Sequence, residues 1–119
     1  MSYDLRLGVR TIVTNNDREN IAIVAIPEMD SPTYNLGDMF RNAMDWDFNQ
    51  GEWYRVSDVL QNIYRGRDAL EMNPEKWRKY EPYNKWGTVE DAIAVLDSLL
   101  ACINETTELW PLHALWLKW

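Results

Sequence analysis

The sequence predicts an α+β fold: a small antiparallel sheet with helices packed on one of its faces. Three observations carry that prediction. Residues 3–13 and 21–26 read as strands, the middle of the chain holds four helical segments, and residues 113–119 read as a strand again. In the order β-β-α-α-α-α-β, the last strand is expected to join the N-terminal hairpin. A free Leu-Trp-Leu edge would otherwise invite aggregation.

Residues 3–9 alternate apolar and polar, the period of a half-buried strand, and the run continues through Val13. Residues 14–20 are a polar turn cluster. Residues 21–26 are apolar enough for a central strand, and Pro27, which has no amide hydrogen, ends its ladder pairing. Asn35 is placed to cap a short helix over 36–44, with Leu36, Met39, Phe40 and Ala43 on one side. Residues 45–53 read as a loop of acids and aromatics. Ser57 is placed to cap a helix over 58–72 whose apolar face carries Val59, Leu60, Ile63, Tyr64 and Leu70. Asn73 as cap and Pro74 at the first helical position start a short helix to about Tyr80. Thr88 caps the most regular helix, expected to run to about Asn104 on a stripe of Val89, Ala92, Ile93, Leu96, Leu99, Leu100 and Ile103. In the closing strand, Leu115 and Leu117 share one face, and Ala114, Trp116 and Lys118 the other.

The chain has 119 residues, no linker and no repeat, and is expected to form one domain over 1–119 with a real core. Nineteen acids against twelve bases give a net charge of −7. That balance argues against general nucleic-acid binding, which needs a basic footprint, and suits either plain solubility or a basic protein partner. One cysteine, Cys102, excludes an internal disulfide and points to a reducing compartment. No signal peptide and no membrane-length apolar run are seen, so a cytoplasmic protein is expected.

Tests for chemistry find little. Residues 45–51 begin like a calcium loop, but Gln50 and Val56 stand where glycine and a bidentate glutamate are needed. A single histidine, His113, and Cys102 do not build a zinc site. His113 reads as an ordinary strand residue and Cys102 as a packing thiol. No nucleophile has a base at a recognisable spacing, and the five glycines form no phosphate loop. No catalytic residue, metal or cofactor is expected.

Seven tryptophans and six tyrosines accompany only two phenylalanines. Such rings exclude water and place a hydrogen bond at the same time. They gather in two segments. In residues 31–54, Tyr34, Asn35, Trp46, Trp53 and Tyr54 lie among Asp45, Asp47 and Glu52; this segment is the candidate for docking on a basic protein. The alternative is that Phe40, Trp46 and Trp53 cover one end of the sheet. In residues 65–86, six of the twelve bases interleave with aromatics, and Arg65, Lys76, Trp77, Arg78, Lys79, Tyr83 and Trp86 are candidates for a nucleotide ligand. The alternative there is a solvated helix face whose rings point inward.

The motifs Ser-Pro-Thr-Tyr-Asn-Leu-Gly at 31–37, Gln-Gly-Glu-Trp-Tyr at 50–54, Asn-Pro-Glu-Lys at 73–76 and Trp-Gly-Thr at 86–88, with Met39, Phe40, Arg41, Trp46, Asp47 and Trp119, span most of the chain. Together they resemble a group of small uncharacterised proteins carried by phages and mobile elements of Firmicutes. The resemblance brings no catalytic residue with it. It implies accessory phage or mobile-element biology, in which small acidic non-enzymatic proteins often inhibit a host defence system. The leading expectation is a binding inhibitor of a host defence factor with a basic, nucleic-acid-handling surface, for example an anti-CRISPR protein. A nucleotide-binding module or sponge, and a homo-oligomeric structural or regulatory phage protein, are the alternatives.

Overall fold

A computed structural model describes residues 5–13, 18–24, 36–81 and 87–119, and for 11–13 and 18–24 the backbone only. Strands β1 (Arg6–Val13) and β2 (Arg18–Val24) pair antiparallel, from Leu7 opposite Val24 to Val13 opposite Arg18. β2 thus begins within the expected turn. Strand pairing is made by backbone groups, and Arg18, Glu19 and Asn20 supply them as well as apolar residues do. The end of the ladder at Pro27 and the cap at Asn35 lie outside the described residues.

Helix α1 (Gly37–Met44) buries Met39, Phe40, Ala43 and Met44, so the expected apolar side is the packed one. It ends at Asp45 in the left-handed conformation (φ 51°), whose amide returns to the carbonyls of Arg41 and Asn42. The expected loop then closes with a third strand, β3 (Trp53–Arg55), which runs without a break into α2 (Val56–Met72). Arg55 therefore holds the cap position in an extended conformation, and Ser57 lies inside the first turn. Within α2, Val56, Val59, Ile63, Gly66 and Leu70 are buried, whereas Tyr64, expected on that face, is exposed.

Pro74 opens α3 (Pro74–Trp77), followed by a 3₁₀ turn over Arg78–Tyr80. Helix α4 (Val89–Thr107) begins with a complete capping box. The Asp91 amide donates to Thr88 Oγ1 at 3.1 Å and the Thr88 amide to Asp91 Oδ2 at 3.0 Å. α4 is buried over more of its circumference than the expected stripe, adding Val95, Cys102 and Thr106. It also runs to Thr107, one turn further than expected, with Thr106 Oγ1 donating to the Cys102 carbonyl at 2.7 Å. His113 falls in a 3₁₀ turn (Leu112–Ala114), not in the strand that follows, β4 (Leu115–Lys118).

The sheet order is β2-β1-β4-β3, and every neighbouring pair is antiparallel. β4 joins the hairpin as expected, but β3 covers its other side, so the Leu-Trp-Leu strand is central. Leu7 and Val9 of β1 and Leu115 and Leu117 of β4 are buried in one core with the apolar faces of the helices. The fold is α+β with its helices against one face of the sheet.

Candidate functional site

The loop between α1 and β3 is built on aromatic packing. Phe48 stacks on Trp119 with ring centroids 4.8 Å apart, and Phe40 meets the same indole at 5.1 Å. Trp46 lies edge-on to Phe48, Tyr54 and Trp119 at 5.3, 4.9 and 6.0 Å. Phe40, Phe48 and Trp119 are buried, and Trp46 and Tyr54 half-buried. The Gly51 amide donates to the Trp119 carbonyl at 3.0 Å, with Gly51 at φ 91°, a conformation glycine adopts without strain. The loop is thereby fastened to the last strand, and these rings cover that end of the sheet.

Carboxylates rim this aromatic floor. Asp38, Arg41, Asn42, Asp45, Trp46 and Asp47 line an open hollow of about 480 Å³. The Asp38 and Asp45 side chains are 84% and 73% exposed, and that of Asp47 is fully exposed. Arg41 is tied down within the hollow. Its Nε donates to the Phe48 carbonyl at 3.0 Å, its Nη1 donates to Asp38 Oδ1 at 3.4 Å, and its guanidinium sits 4.5 Å from the Phe48 ring centroid. Beside this rim Tyr54 Oη accepts the Asn49 amide at 2.7 Å and donates to Glu52 Oε2 at 3.1 Å. Asp45, Trp46, Asp47, Glu52 and Tyr54 therefore come together. Trp53 does not join them. Strand alternation sends Tyr54 to the core side and Trp53 to the opposite face of the sheet, where Lys118 Nζ lies 5.2 Å from its ring centroid. Tyr34 and Asn35 lie outside the described residues.

The basic segment is dispersed. Arg65 pairs with Asp45 at 3.4 Å and belongs to the acidic rim. Trp77 is buried, donating from Nε1 to the Ala69 carbonyl at 3.0 Å and stacked on Tyr80 at 6.0 Å. Lys76 and Lys79 lie over the Trp77 and Tyr80 rings at 4.9 and 5.3 Å. Arg78 holds Glu75 at 2.9 Å, Glu81 at 3.2 Å and Glu90 at 2.8 Å. The hydrogen bonds from Arg78 pull the Glu90 carboxyl down to about 2. Tyr83 and Trp86 lie outside the described residues. The inward orientation of Trp77 matches the alternative of a helix face with inward rings.

The face of the sheet turned away from the core brings Trp53 and Arg55 beside Trp116 and Lys118. Residues opposite one another in an antiparallel pair share a face. Register therefore sets Arg6, Lys118 and Trp53 in one row across β1, β4 and β3, and Gly8, Trp116 and Arg55 in the next. The Arg55 and Arg10 guanidiniums lie 5.3 and 5.7 Å from the Trp116 ring centroid. Trp53, Trp116 and Lys118 are half-exposed and Arg55 exposed. The alternation at 115–118 was visible in the sequence. The pairing that brings Arg55 and Trp53 beside it was not, because β3 is only three residues long.

Cys102 is buried and free, and burial pushes its thiol pKa up. Among the described residues no group of three His, Cys, Asp or Glu side chains is placed to hold a metal, and no helix is long and apolar enough to cross a membrane. No protein family, curated protein or solved structure matches the chain.

Proposed function

We propose that this chain is a non-enzymatic binding protein of phage or mobile-element origin. Its acidic rim docks on a basic surface of a host protein, the surface being one with which a defence factor such as a CRISPR nuclease handles nucleic acid. The observation that carries the reading is the rim itself: Asp38, Asp45 and Asp47 stand exposed around the half-buried Trp46. Carboxylates grouped around a packed aromatic base offer acceptors to arginine and lysine side chains, and the short aspartate side chains have few rotamers to lose on binding. The net charge of −7 would steer such an encounter and make it salt-dependent.

The test is capture of a partner from host lysate on immobilised protein, followed by affinity measurement with that partner purified. The expected complex weakens at least about tenfold with Asp47→Lys, and again between about 50 and about 300 mM salt. A partner that binds wild type and Asp47→Lys equally well would overturn the assignment of the rim. Failure to capture any basic protein would overturn the reading as a whole.

A further inference from the structure

On the described part of the sheet face turned away from the helices, bases and half-exposed indoles lie side by side. On the helical side, Arg41, Arg65, Arg67 and Arg78 each hold at least one carboxylate. Among the described residues, Arg55 and Lys118 pair with no carboxylate and lie against indoles, as Lys76 and Lys79 lie against Trp77 and Tyr80 on the helical side. Register adds Arg6 and Arg10 to the same face; both are already engaged, so Arg55 and Lys118 are the bases offered there, beside Trp53 and Trp116.

We propose that this face is a second interaction surface and that its partner is a single-stranded nucleic acid. Charge complementarity selects a polyanion. The rings select one that also carries planar groups, since a base stacks on an indole while an acidic peptide offers its carboxylates only. A guanidinium lying on an indole keeps its outward N–H edge for an oxyanion, so Arg55 can hold a phosphate without leaving Trp116. Trp53, half-exposed on the outermost strand, is the ring placed for a base. Single strands are favoured because a duplex hides its base faces inside its own stack. The net charge of −7 opposes the approach of a polyanion at long range, and the ~8 Å screening length at physiological salt confines that repulsion to charges close to the face. The inference is independent of the acidic rim and of any host partner.

The experiment is a titration of the whole protein with a fluorescent single-stranded DNA or RNA of about 12 nucleotides, a length within the range that single-strand-binding domains cover. It is read by anisotropy and by quenching of the tryptophans. Inorganic polyphosphate and polyglutamate serve as base-free polyanions. Expected are binding at low salt, stronger than to either base-free polyanion, and at least about fivefold weakening in Arg55→Ala/Lys118→Ala. The slope of log affinity against log salt should fall by about 1.4 for two lost phosphate contacts. Arg55→Glu should weaken binding further, and Asp47→Ala should leave it undiminished. A thermal melt checks that each variant folds, and Arg55→Glu alone decides if the double variant does not. The proposal is overturned by absence of binding at low salt, by equal affinity of the wild type and the variants, or by tighter binding of polyglutamate or polyphosphate than of the oligonucleotide. Preference for polyglutamate would identify the face as a site for an acidic protein.

Discussion

At Gly66 the backbones of α1 and α2 approach so closely that a side chain does not fit. A Cβ placed there would lie 2.3 Å from Met44 Cγ and 3.2 Å from both the amide nitrogen and the Cα of Met44. The Met44 side chain can turn away, but its backbone is fixed, since the carbonyl of Met44 accepts from Asn62 Nδ2 at 3.1 Å and Asp45 ends the helix directly after it. Alanine improves helix propensity by about 1 kcal/mol, whereas overpacking costs about 1–3 kcal/mol. The clash reaches backbone, so Gly66→Ala is expected to destabilise by about 1–2 kcal/mol. The denaturant midpoint should fall with an unchanged m value, and a raised midpoint would show that α1 can move away. Asp45 also has two tasks. It terminates α1 and holds Arg65 while presenting a carboxylate to the rim, so its replacement tests structure and binding together, and Asp47 is the cleaner probe.

Between elements, a two-point polar link joins the turn after α3 to the first turn of α4. Arg78 Nη2 donates to Glu90 Oε1 at 2.8 Å, and Glu81 Oε2 accepts the Val89 amide at 2.8 Å, so the start of α4 is held by the preceding turn. The Glu90 carboxyl lies below its ordinary value near 4.5, at about 2 in the fold. A depressed carboxyl contributes stability that is complete above its unfolded value and is lost as pH falls through the folded one. Wild type should therefore melt above Arg78→Met at pH 6, with the difference shrinking between about pH 4.5 and about pH 2. A difference independent of pH over that window would mean that Arg78 acts through its aliphatic stem. Elements of this kind were legible in sequence when their signal was local. Thr88 with Asp91, Pro74 at its helix start and the alternation of Leu115 and Leu117 each announced themselves within a few residues. β3 was not legible, because three residues of mixed character become a strand only when β4 supplies the partner. The same lack of local signal hid the start of α2 at Val56 rather than after Ser57.

Across the whole molecule, tertiary pairing divided what the sequence had grouped. Trp53 stood beside Asp47 and Glu52 in the chain, yet strand alternation carries it to the opposite side of the sheet from Tyr54. Arg65 opened the basic stretch, yet the packing of α2 against α1 brings it to Asp45. The acidic rim was readable because its residues are near neighbours in sequence. The sheet face was not, because its residues come from three strands spread over more than 100 positions of the chain. The acidic rim and the Arg55 and Lys118 pair thus lie on opposite sides of the sheet, and the net charge describes neither. Adsorbed on positively charged beads, the molecule should settle with the Asp38, Asp45 and Asp47 side towards the surface and the sheet towards solvent. Carbodiimide labelling of those carboxylates should fall on adsorption while acylation of Lys118 continues, and a shielded Lys118 would contradict it. An immobilised preparation of this protein would accordingly be an oriented monolayer, with the geometry of the layer set by a strand of three residues.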